Sequence, residues 1–243
     1  MQSAAPRDIQ PALATFCLIH GNWHDASCWA PLVDELRSRG HDAVAPDLPF
    51  DDPRADYQQR ARPALDALEG ADDPVVIVGH SAGSAEAALV AAQRRPALLV
   101  YLCPRFGAFP TPPHAPRVFR PKFPFPPKDA DGRSVWDAGS AIATMYPRLP
   151  PDVATTLAER LRPGAAAAGD YPLAEHPNVR ASLIYTTDDE FFEPEWERYV
   201  AELLMVEPIE LRGGHFPMVE DPAGLAEVLD GLATGTVPEA SSP

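Results

Sequence analysis

A buried strand that runs into a sharp turn is encoded by Val75-Val76-Ile77-Val78-Gly79-His80-Ser81-Ala82-Gly83. The apolar run 75–78 is typical of a strand covered on both faces, and the alanine-rich stretch 82–93 predicts a helix directly after it. Between them stands the pattern G-x-S-x-G, which in this context forms a strained turn that presents its serine above the sheet. The sequence therefore predicts Ser81 as a nucleophile, with Gly79 and Gly83 leaving room for the turn.

Apolar runs alternate with helical patterns along the rest of the chain. Six strands are predicted, at 14–19, 43–45, 75–78, 98–102, 181–185 and 206–211. Helices are predicted between them, including one at 57–68 that Pro63 should kink or delay. This alternation indicates an α/β fold in which a mostly parallel sheet is flanked by helices.

Residues 104–178 interrupt this alternation. They contain 15 of the 30 prolines and five of the ten phenylalanines, namely Phe106, Phe109, Phe119, Phe123 and Phe125. A long irregular segment inside a regular domain is usually functional, and these phenylalanines are too apolar for a solvated linker. We predict that 104–178 is a cap inserted into a core made of residues 12–103 and 179–233, followed by a frayed tail at 234–243.

A histidine and a group of acids follow two later strands. His215 stands in Arg-Gly-Gly-His-Phe after the last predicted strand, and Asp188, Asp189 and Glu190 come directly after the fifth. Because the carboxyl ends of parallel strands share one edge of the sheet, these side chains are expected near Ser81. The chain order serine, acid, histidine is that of hydrolases with a strand–turn–helix serine. The pattern alone leaves open which acid orients the histidine.

Acyl transfer also needs hydrogen-bond donors for a developing oxyanion. One is expected from the N–H of Ala82, and the other from the N–H of Asn22, because Gly21 lets the loop after the first strand approach the serine. Five further residues are predicted to line the substrate site: Trp23, His24, His80, Arg105 and Phe216. Trp23 could equally belong to the core. Arg105 suits an anionic or carbonyl group, although its segment could also dock as a basic cap on an acidic body.

The composition disfavours several other functions. The net charge of −15 is unsuited to nucleic acid or to an anionic membrane surface. Neither a Gly-Lys-Ser/Thr sequence nor G-x-G-x-x-G occurs, so no nucleotide-binding loop is expected. His20 and His24 stand in a loop without a third ligand nearby, and we predict no metal and no other cofactor.

The cysteines and the hydropathy of the chain indicate the cellular compartment of the protein. Cys17, Cys28 and Cys103 lie far apart in apolar runs, as buried free thiols in a reducing environment would. No apolar run is long enough to span a membrane, and Met1–Pro11 does not resemble a secretory signal. We expect a cytoplasmic protein whose partner is a small-molecule substrate.

Together these features resemble the α/β-hydrolase superfamily. The resemblance is carried by the turn at 79–83, the His-Gly pair at 20–21, the Asp-Asp-Glu-Phe-Phe segment at 188–192 and Gly-Gly-His-Phe-Pro at 213–217. His20 with Trp29, and the segment His-Asp-Ala-Val-Ala-Pro-Asp-Leu that begins at 41, look like the small branch that contains plant methylesterases, hydroxynitrile lyases and many bacterial hydrolases.

The resemblance implies further properties. The family sheet normally has eight strands with one antiparallel edge strand, and a cap follows the sixth; this chain has room for about six strands. The match places the acid on Asp189, although Thr186 replaces a glycine of the family pattern. Glu86 departs from the family, which has a small or apolar residue there, and it would lie either on the surface or in the floor of the pocket.

Three classes of function fit these residues. The first is a serine hydrolase that cleaves a small ester, thioester or lactone through an acyl-enzyme. The second is a lyase or cyclase that uses Ser81, His215 and the acid without an acyl-enzyme, and the third is a ligand receptor that retains the pocket. Some lyase relatives place a lysine near the serine, whereas Lys122 and Lys128 both fall in the predicted cap. This difference favours the hydrolase.

Overall fold

The computed structural model describes residues 13–72, 74–105 and 114–236. These residues contain one sheet of six strands: β1 (Thr15–Ile19), β2 (Asp42–Val44), β3 (Val75–His80), β4 (Leu98–Leu102), β5 (Ala181–Thr186) and β6 (Ile209–Leu211). Every neighbouring pair is parallel. The α/β prediction is confirmed, and β6 is shorter than the apolar run 206–211. Within the described ranges the sheet has no antiparallel edge strand, in contrast to the family pattern.

The helices cover both faces of this sheet in the usual α/β manner. In the described residues they are α1 (Ala30–Ser38), α2 (Tyr57–Ala67), α3 (Ser84–Arg94), α4 (Ala138–Met145), α5 (Pro151–Glu159), α6 (Pro194–Leu204), α7 (Pro217–Glu220) and α8 (Pro222–Thr234). The helix predicted from residue 82 therefore begins two residues later, after a 3-10 turn over Ser81–Gly83.

The start of α2 corrects the expectation of a delayed helix. Gln59 N–H donates to Asp56 Oδ1 over 2.8 Å, and Asp56 N–H donates to Gln59 Oε1 over 3.0 Å. This capping box satisfies backbone donors at the helix terminus. The helix consequently begins at Tyr57 and continues through Pro63.

The order of the strands defines where a site can form. It is β2-β1-β3-β4-β5-β6, so the chain leaves β1 towards one side of the sheet and leaves β3 towards the other. Strands β1, β3 and β4 are buried along their whole length, as their continuous apolar sequences require. The loops after β1 and β3 therefore separate at the carboxyl edge, which is where such sheets form a ligand crevice.

The 104–178 segment contacts the rest of the protein partly through a cluster of rings. Phe123 lies 4.7 Å from Phe191, and Phe119 lies 5.4 Å from Phe192, measured between ring centroids. Phe125 is 65% exposed, so the expectation that these phenylalanines avoid solvent is wrong for this one. Its ring still contacts Phe119, which explains how it is held. Phe106 and Phe109 lie outside the described residues.

Three further predictions concern the cysteines, the C-terminal tail and membrane-spanning helices. Cys17, Cys28 and Cys103 are buried free thiols, as predicted. The helix α8 includes Thr234 and ends at Gly235 in the left-handed region, and residues 237–243 of the predicted tail are outside the described part of the chain. In that part, no helix combines the length and the apolarity needed to cross a bilayer.

Candidate active site

The turn after β3 presents Ser81 in a strained conformation. Its φ is 52°, in the left-handed region that side chains other than glycine rarely adopt. A Cβ added at Gly79 would lie 2.4 Å from Ala87 Cβ, and one added at Gly83 would lie 2.3 Å from the carbonyl oxygen of His20. Only glycine therefore fits at these two positions, as the sequence pattern predicted.

Ser81, His215 and Asp189 form a continuous chain of hydrogen bonds. The hydroxyl of Ser81 lies 3.0 Å from His215 Nε2, and His215 Nδ1 lies 2.7 Å from Asp189 Oδ2. His215 and Asp189 are buried, whereas Ser81 is partly accessible. In this arrangement the imidazole can accept the serine proton while the carboxylate holds its other nitrogen protonated.

The structure distinguishes among the three acids after β5. Asp189 Oδ1 accepts hydrogen bonds from the backbone N–H groups of Phe191 (2.6 Å) and Phe192 (3.1 Å), which fixes the carboxylate beneath His215. Asp188 is exposed, and Glu190 pairs with Arg148 over 2.7 Å. Asp189 is therefore the acid that meets the histidine.

His215 is also held by its neighbours. Its ring stacks on Phe191 at 4.1 Å with an interplanar angle of 6°, and Phe192 meets it edge-on. His80 Nε2 donates to the carbonyl oxygen of His215 over 2.8 Å. Sequence reasoning gave no role to Phe191 and Phe192, although their position directly after the acid is a usable signal.

The loop after β1 approaches the serine closely. A Cβ added at Gly21 would lie only 3.0 Å from Ser81 Cβ, so glycine is needed at this contact. Asn22, the next residue, borders the same cavity as Ala82. The structure thus brings the two predicted oxyanion residues to one cavity beside the serine.

That cavity has a volume of about 160 Å³ and a lining that mixes charged and polar side chains with alanines. Its described lining residues are Asn22, Phe50, Tyr57, Arg60, Ala82, Ala85, Glu86, Arg105 and Ala165–Ala167. Glu86 is 1% exposed, so it belongs to the pocket and not to the surface. Burial raises the pKa of the Glu86 carboxyl to about 7.

Four of the five predicted substrate-lining residues do not border this cavity. Trp23 Nε1 donates to Ser134 Oγ over 2.8 Å, and its ring packs edge-on against Trp136. A φ of 67° at Trp23 turns its side chain towards the 104–178 segment, which explains the difference. Arg105 does border the cavity, and its backbone N–H donates to the Ser81 carbonyl over 3.1 Å.

The other three, His24, His80 and Phe216, are buried behind the site. His24 accepts a hydrogen bond from the Tyr146 hydroxyl over 2.6 Å, and its ring packs 4.6 Å from Phe216. Burial lowers the pKa of His24 to about 4 and holds the pKa of His80 well below its usual value. These neutral side chains support the elements around His215 and are not placed to contact a substrate in the cavity.

One group of side chains in the described residues brings metal-ligating atoms close together. Cys103, Asp189 and His215 offer atoms within 4.8 Å of one another. The relevant atoms of Asp189 and His215 bond to each other, and burial holds the pKa of the Cys103 thiol well above its usual range. The Cys103 thiol is neutral, and the carboxylate of Asp189 and the imidazole of His215 already bond to each other, so this group is not suited to bind a metal ion. His20 and His24 are not part of it.

Residues 18–228 match a family model described as the alpha/beta hydrolase family. Among curated proteins, the chain is 29% identical to "Probable esterase PIR7A" of Oryza sativa subsp. japonica, over 88% of this chain and 94% of that protein. It is 38% identical to "Esterase PIR7B" of the same plant over 30% of this chain and 31% of that protein. Methylesterase 9 of Arabidopsis thaliana is 36% identical over 31% of this chain and 33% of its own length.

Solved structures show the same fold. A pyrethroid hydrolase, PytH, superposes with a TM-score of 0.73 at 21% identity, over 91% of this chain and 98% of that one. Polyneuridine aldehyde esterase gives a TM-score of 0.72 at 18% identity, over 91% of this chain and all of that one, 100%.

Proposed function

Because this chain belongs to the alpha/beta hydrolase family, we propose that it is a serine hydrolase that cleaves a carboxylic ester of a small molecule. The observation that carries the proposal is the unbroken contact from Asp189 through His215 to Ser81, at the edge of the sheet where ligands bind. The names of the similar proteins, an esterase and methylesterases among them, support the same reaction class.

In the first step, Ser81 Oγ attacks the ester carbonyl carbon while His215 Nε2 takes the hydroxyl proton. Asp189 stabilises the imidazolium that forms, and the N–H groups of Asn22 and Ala82 stabilise the oxyanion. The carbon–oxygen bond to the alcohol then breaks, and the alcohol leaves with the proton from His215. Ser81 is left as an acyl ester.

In the second step, a water molecule takes the place of the alcohol. His215 removes its proton as its oxygen attacks the acyl carbon, and the bond to Ser81 Oγ breaks. The serine regains its proton from His215, and the acid leaves. One water is consumed, and one acid and one alcohol are produced, for each ester.

We propose that the 104–178 segment is a cap over this site. Ala165–Ala167 of the segment line the same cavity as Asn22 and Ala82 of the core. A Cβ added at Gly164 would lie 2.5 Å from the Asn22 side chain, so the segment packs directly on the oxyanion loop. A cap in this position excludes bulk water from the acyl-enzyme.

A labelling experiment tests the reaction. A fluorophosphonate probe should label the wild-type protein on Ser81 and leave Ser81→Ala unlabelled, which distinguishes an active serine from a receptor pocket. Ester turnover in ¹⁸O-labelled water should place one label in the acid product, because water enters only when the acyl-enzyme is cleaved. A product without the label would contradict hydrolysis and indicate lyase or cyclase chemistry.

A further inference from the structure

The cavity beside Ser81 is lined by two guanidinium groups and one carboxyl group, which come from three separate elements. Arg60 comes from α2, Glu86 from α3, and Arg105 follows β4. Sites that bind apolar acyl groups are lined mainly by apolar side chains. The charged lining therefore needs its own explanation.

Arg60 is buried and has no carboxylate partner among the described residues. It is 3% exposed, one terminal nitrogen donates to the Ala165 carbonyl over 3.2 Å, and its guanidinium lies 5.1 Å above the Phe50 ring. Its Nε has no hydrogen-bond acceptor within the described ranges, which also contain no carboxylate within 4.0 Å of the guanidinium. A buried cation left in this state is costly, unless a bound anion completes its environment.

Glu86 is the only carboxyl in the described lining, and it is incompletely paired. Its Oε2 is buried and finds no partner among the described residues. Because burial raises the pKa of this carboxyl to about 7, it is largely protonated just below neutral pH and does not fully offset Arg60 and Arg105. The cavity consequently carries a net positive charge.

We propose that this cavity is a carboxylate-binding subsite for the acyl group of the substrate, formed by Arg60, Arg105 and Glu86. The substrates would be monoesters of short dicarboxylic acids. The choice of an ester rests on the proposed hydrolase function. A carboxylate can accept from both arginines and from a protonated Glu86.

Other substrate groups fit less well. An ammonium group would be repelled by two guanidinium groups, and an apolar acyl chain would leave Arg60 Nε and Glu86 Oε2 without partners. The position of the cavity favours the acyl side, because Asn22 and Ala82 line it and Arg105 is bonded to the Ser81 backbone. The small volume favours a short chain between the two carboxyl groups.

The subsite has a pH dependence set by Glu86. The groups that face this carboxyl are Tyr57 and Arg60 of α2, Arg105 after β4, and Tyr171 of the 104–178 segment. Burial raises the pKa of both tyrosines, so they remain neutral when Glu86 ionises. Protonated Glu86 donates to a bound carboxylate, whereas ionised Glu86 repels it. Affinity should therefore fall as the pH rises through about 7.

Hydrolysis of two related esters tests this subsite. Monomethyl glutarate carries a free carboxylate in its acyl part, and dimethyl glutarate does not; each reacts with one water and releases one methanol. The ratio of their kcat/KM values should favour the monoester by about tenfold or more at pH 6.5. Arg105→Gln should remove most of that preference, and because Arg105 is exposed we expect this variant to fold. Arg62→Gln is the control, since Arg62 lies on α2 like Arg60 but is exposed and pairs with Asp66.

A binding measurement separates the subsite from the catalytic proposal. Calorimetric titration of Ser81→Ala with glutarate should show binding that weakens by about tenfold between about pH 6 and about pH 8.5. Glu86→Gln, which keeps a donor but cannot ionise, should bind with little pH dependence. The same titration of Arg60→Gln, with thermal unfolding to check that it folds, should show weaker binding.

The outcomes are distinguishable. Cleavage of dimethyl glutarate without a preference for the monoester, together with no glutarate binding, would overturn the subsite and leave the hydrolase standing. Failure to cleave either ester or to react with fluorophosphonate, together with arginine-dependent glutarate binding, would overturn the hydrolase and leave the subsite standing. A preference that Arg105→Gln and Arg60→Gln do not change would also overturn the subsite.

Discussion

Ser81 has a φ of 52°, a backbone conformation that costs on the order of 1–3 kcal/mol and is found where a side chain must be presented to a ligand. The space around it is maintained by glycines on both sides of the turn and by Gly21 on the neighbouring loop. These features hold the hydroxyl 3.0 Å from His215 Nε2. The strain at one residue thus supports the geometry that the proposed proton transfer requires.

Replacing this serine should abolish turnover without unfolding the protein. Ser81→Ala removes the nucleophile, so we expect kcat/KM to fall on the order of a thousandfold or more. The side chain is only partly buried and contributes little packing, so the melting temperature should change little. Steady-state kinetics on an ester that the wild type cleaves, together with thermal unfolding, check both parts. Near-normal turnover by the variant would exclude Ser81 as nucleophile.

The acid at the site can be tested with a pair of adjacent substitutions. Asp189→Asn should reduce kcat on the order of a thousandfold or more, because an amide cannot hold His215 in the required tautomer or stabilise the imidazolium. It also weakens the acceptor for two backbone N–H groups, so thermal unfolding should be measured alongside. Asp188→Asn is the matched control: its side chain is exposed, and kcat should stay near the wild-type value. A larger loss of kcat in Asp188→Asn than in Asp189→Asn would show that Asp188 is the acid that orients His215.

The sequence predicted some of these residues better than others. Ser81 and His215 could be placed because a motif and a strand end define them, whereas the choice between Asp188 and Asp189 depends on the register of a turn. That register is set by a bond from Asp188 N–H to the Gly213 carbonyl (2.9 Å), a contact between distant parts of the chain. The sequence left Trp23 open between substrate wall and core, because no local pattern shows the positive φ that turns its side chain towards the 104–178 segment.

At the scale of elements, the existence of the strands was easier to predict than their arrangement. The strands β1, β3 and β4 are compact, mostly apolar runs and are buried throughout, whereas β2 and β6 are short and each contains an acid. Their order, which places β1 between β2 and β3, depends on long-range packing that no local pattern contains. The start of α2, in contrast, is determined locally. The capping box of Asp56 and Gln59 starts the helix at Tyr57, although Pro63 had been expected to delay it.

A buried acid on α6 makes the stability of the protein depend on pH. Glu197 is 2% exposed, and neither of its carboxyl oxygens has a hydrogen-bond partner in the described part of the chain. Burial, assisted by the charge of Asp189, holds the pKa of Glu197 well above its ordinary value of 4.5. The folded protein therefore keeps a proton that the unfolded chain releases.

The sign of this effect follows from proton linkage. A folded-state pKa above the unfolded value contributes stability that is fully present below pH 4.5 and is lost as the pH rises towards the folded pKa. The loss is about 1.4 kcal/mol per pH unit for one proton. Glu197→Gln cannot release a proton, so its stability relative to the wild type should increase as the pH rises above 4.5, with a slope of up to about that size until the pH reaches the folded pKa. Urea unfolding at several pH values measures it, and a constant difference between the two proteins would show that Glu197 is ionised in the folded state.

At the scale of the whole molecule, charge connects the 104–178 segment to the rest of the protein. Several of its arginines pair with acids of the core: Arg148 with Glu190 and Glu220, Arg160 with Asp25, and Arg162 with Asp47. Exposed pairs of this kind contribute little singly and are weakened by salt. Their number supports the interpretation of a basic segment docked on an acidic body.

Arg162 makes the most extensive of these contacts. Its guanidinium binds both oxygens of Asp47, over 2.7 and 3.1 Å, and also donates to the His24 carbonyl over 2.9 Å. Its backbone N–H donates to the Trp23 carbonyl over 2.8 Å. These bonds fix the segment to the loop that carries Asn22, so the docking of the proposed cap and the geometry of the proposed oxyanion donors are connected.

Loosening this junction should open the segment to a protease while leaving the core folded. Arg162→Met keeps the length of the side chain but removes its bonds to Asp47 and His24; a loss of about 1 kcal/mol corresponds to roughly a fivefold larger open population. We expect cleavage within 114–178 to accelerate by about that factor under limited proteolysis, and 0.5 M salt to accelerate wild-type cleavage in the same direction. Arg133→Met is the matched control, because Arg133 pairs with Asp129 and Asp131 inside the segment and should leave the cleavage rate unchanged. Equal acceleration by both substitutions would mean that the segment is opened by its own unfolding and not by release from the core.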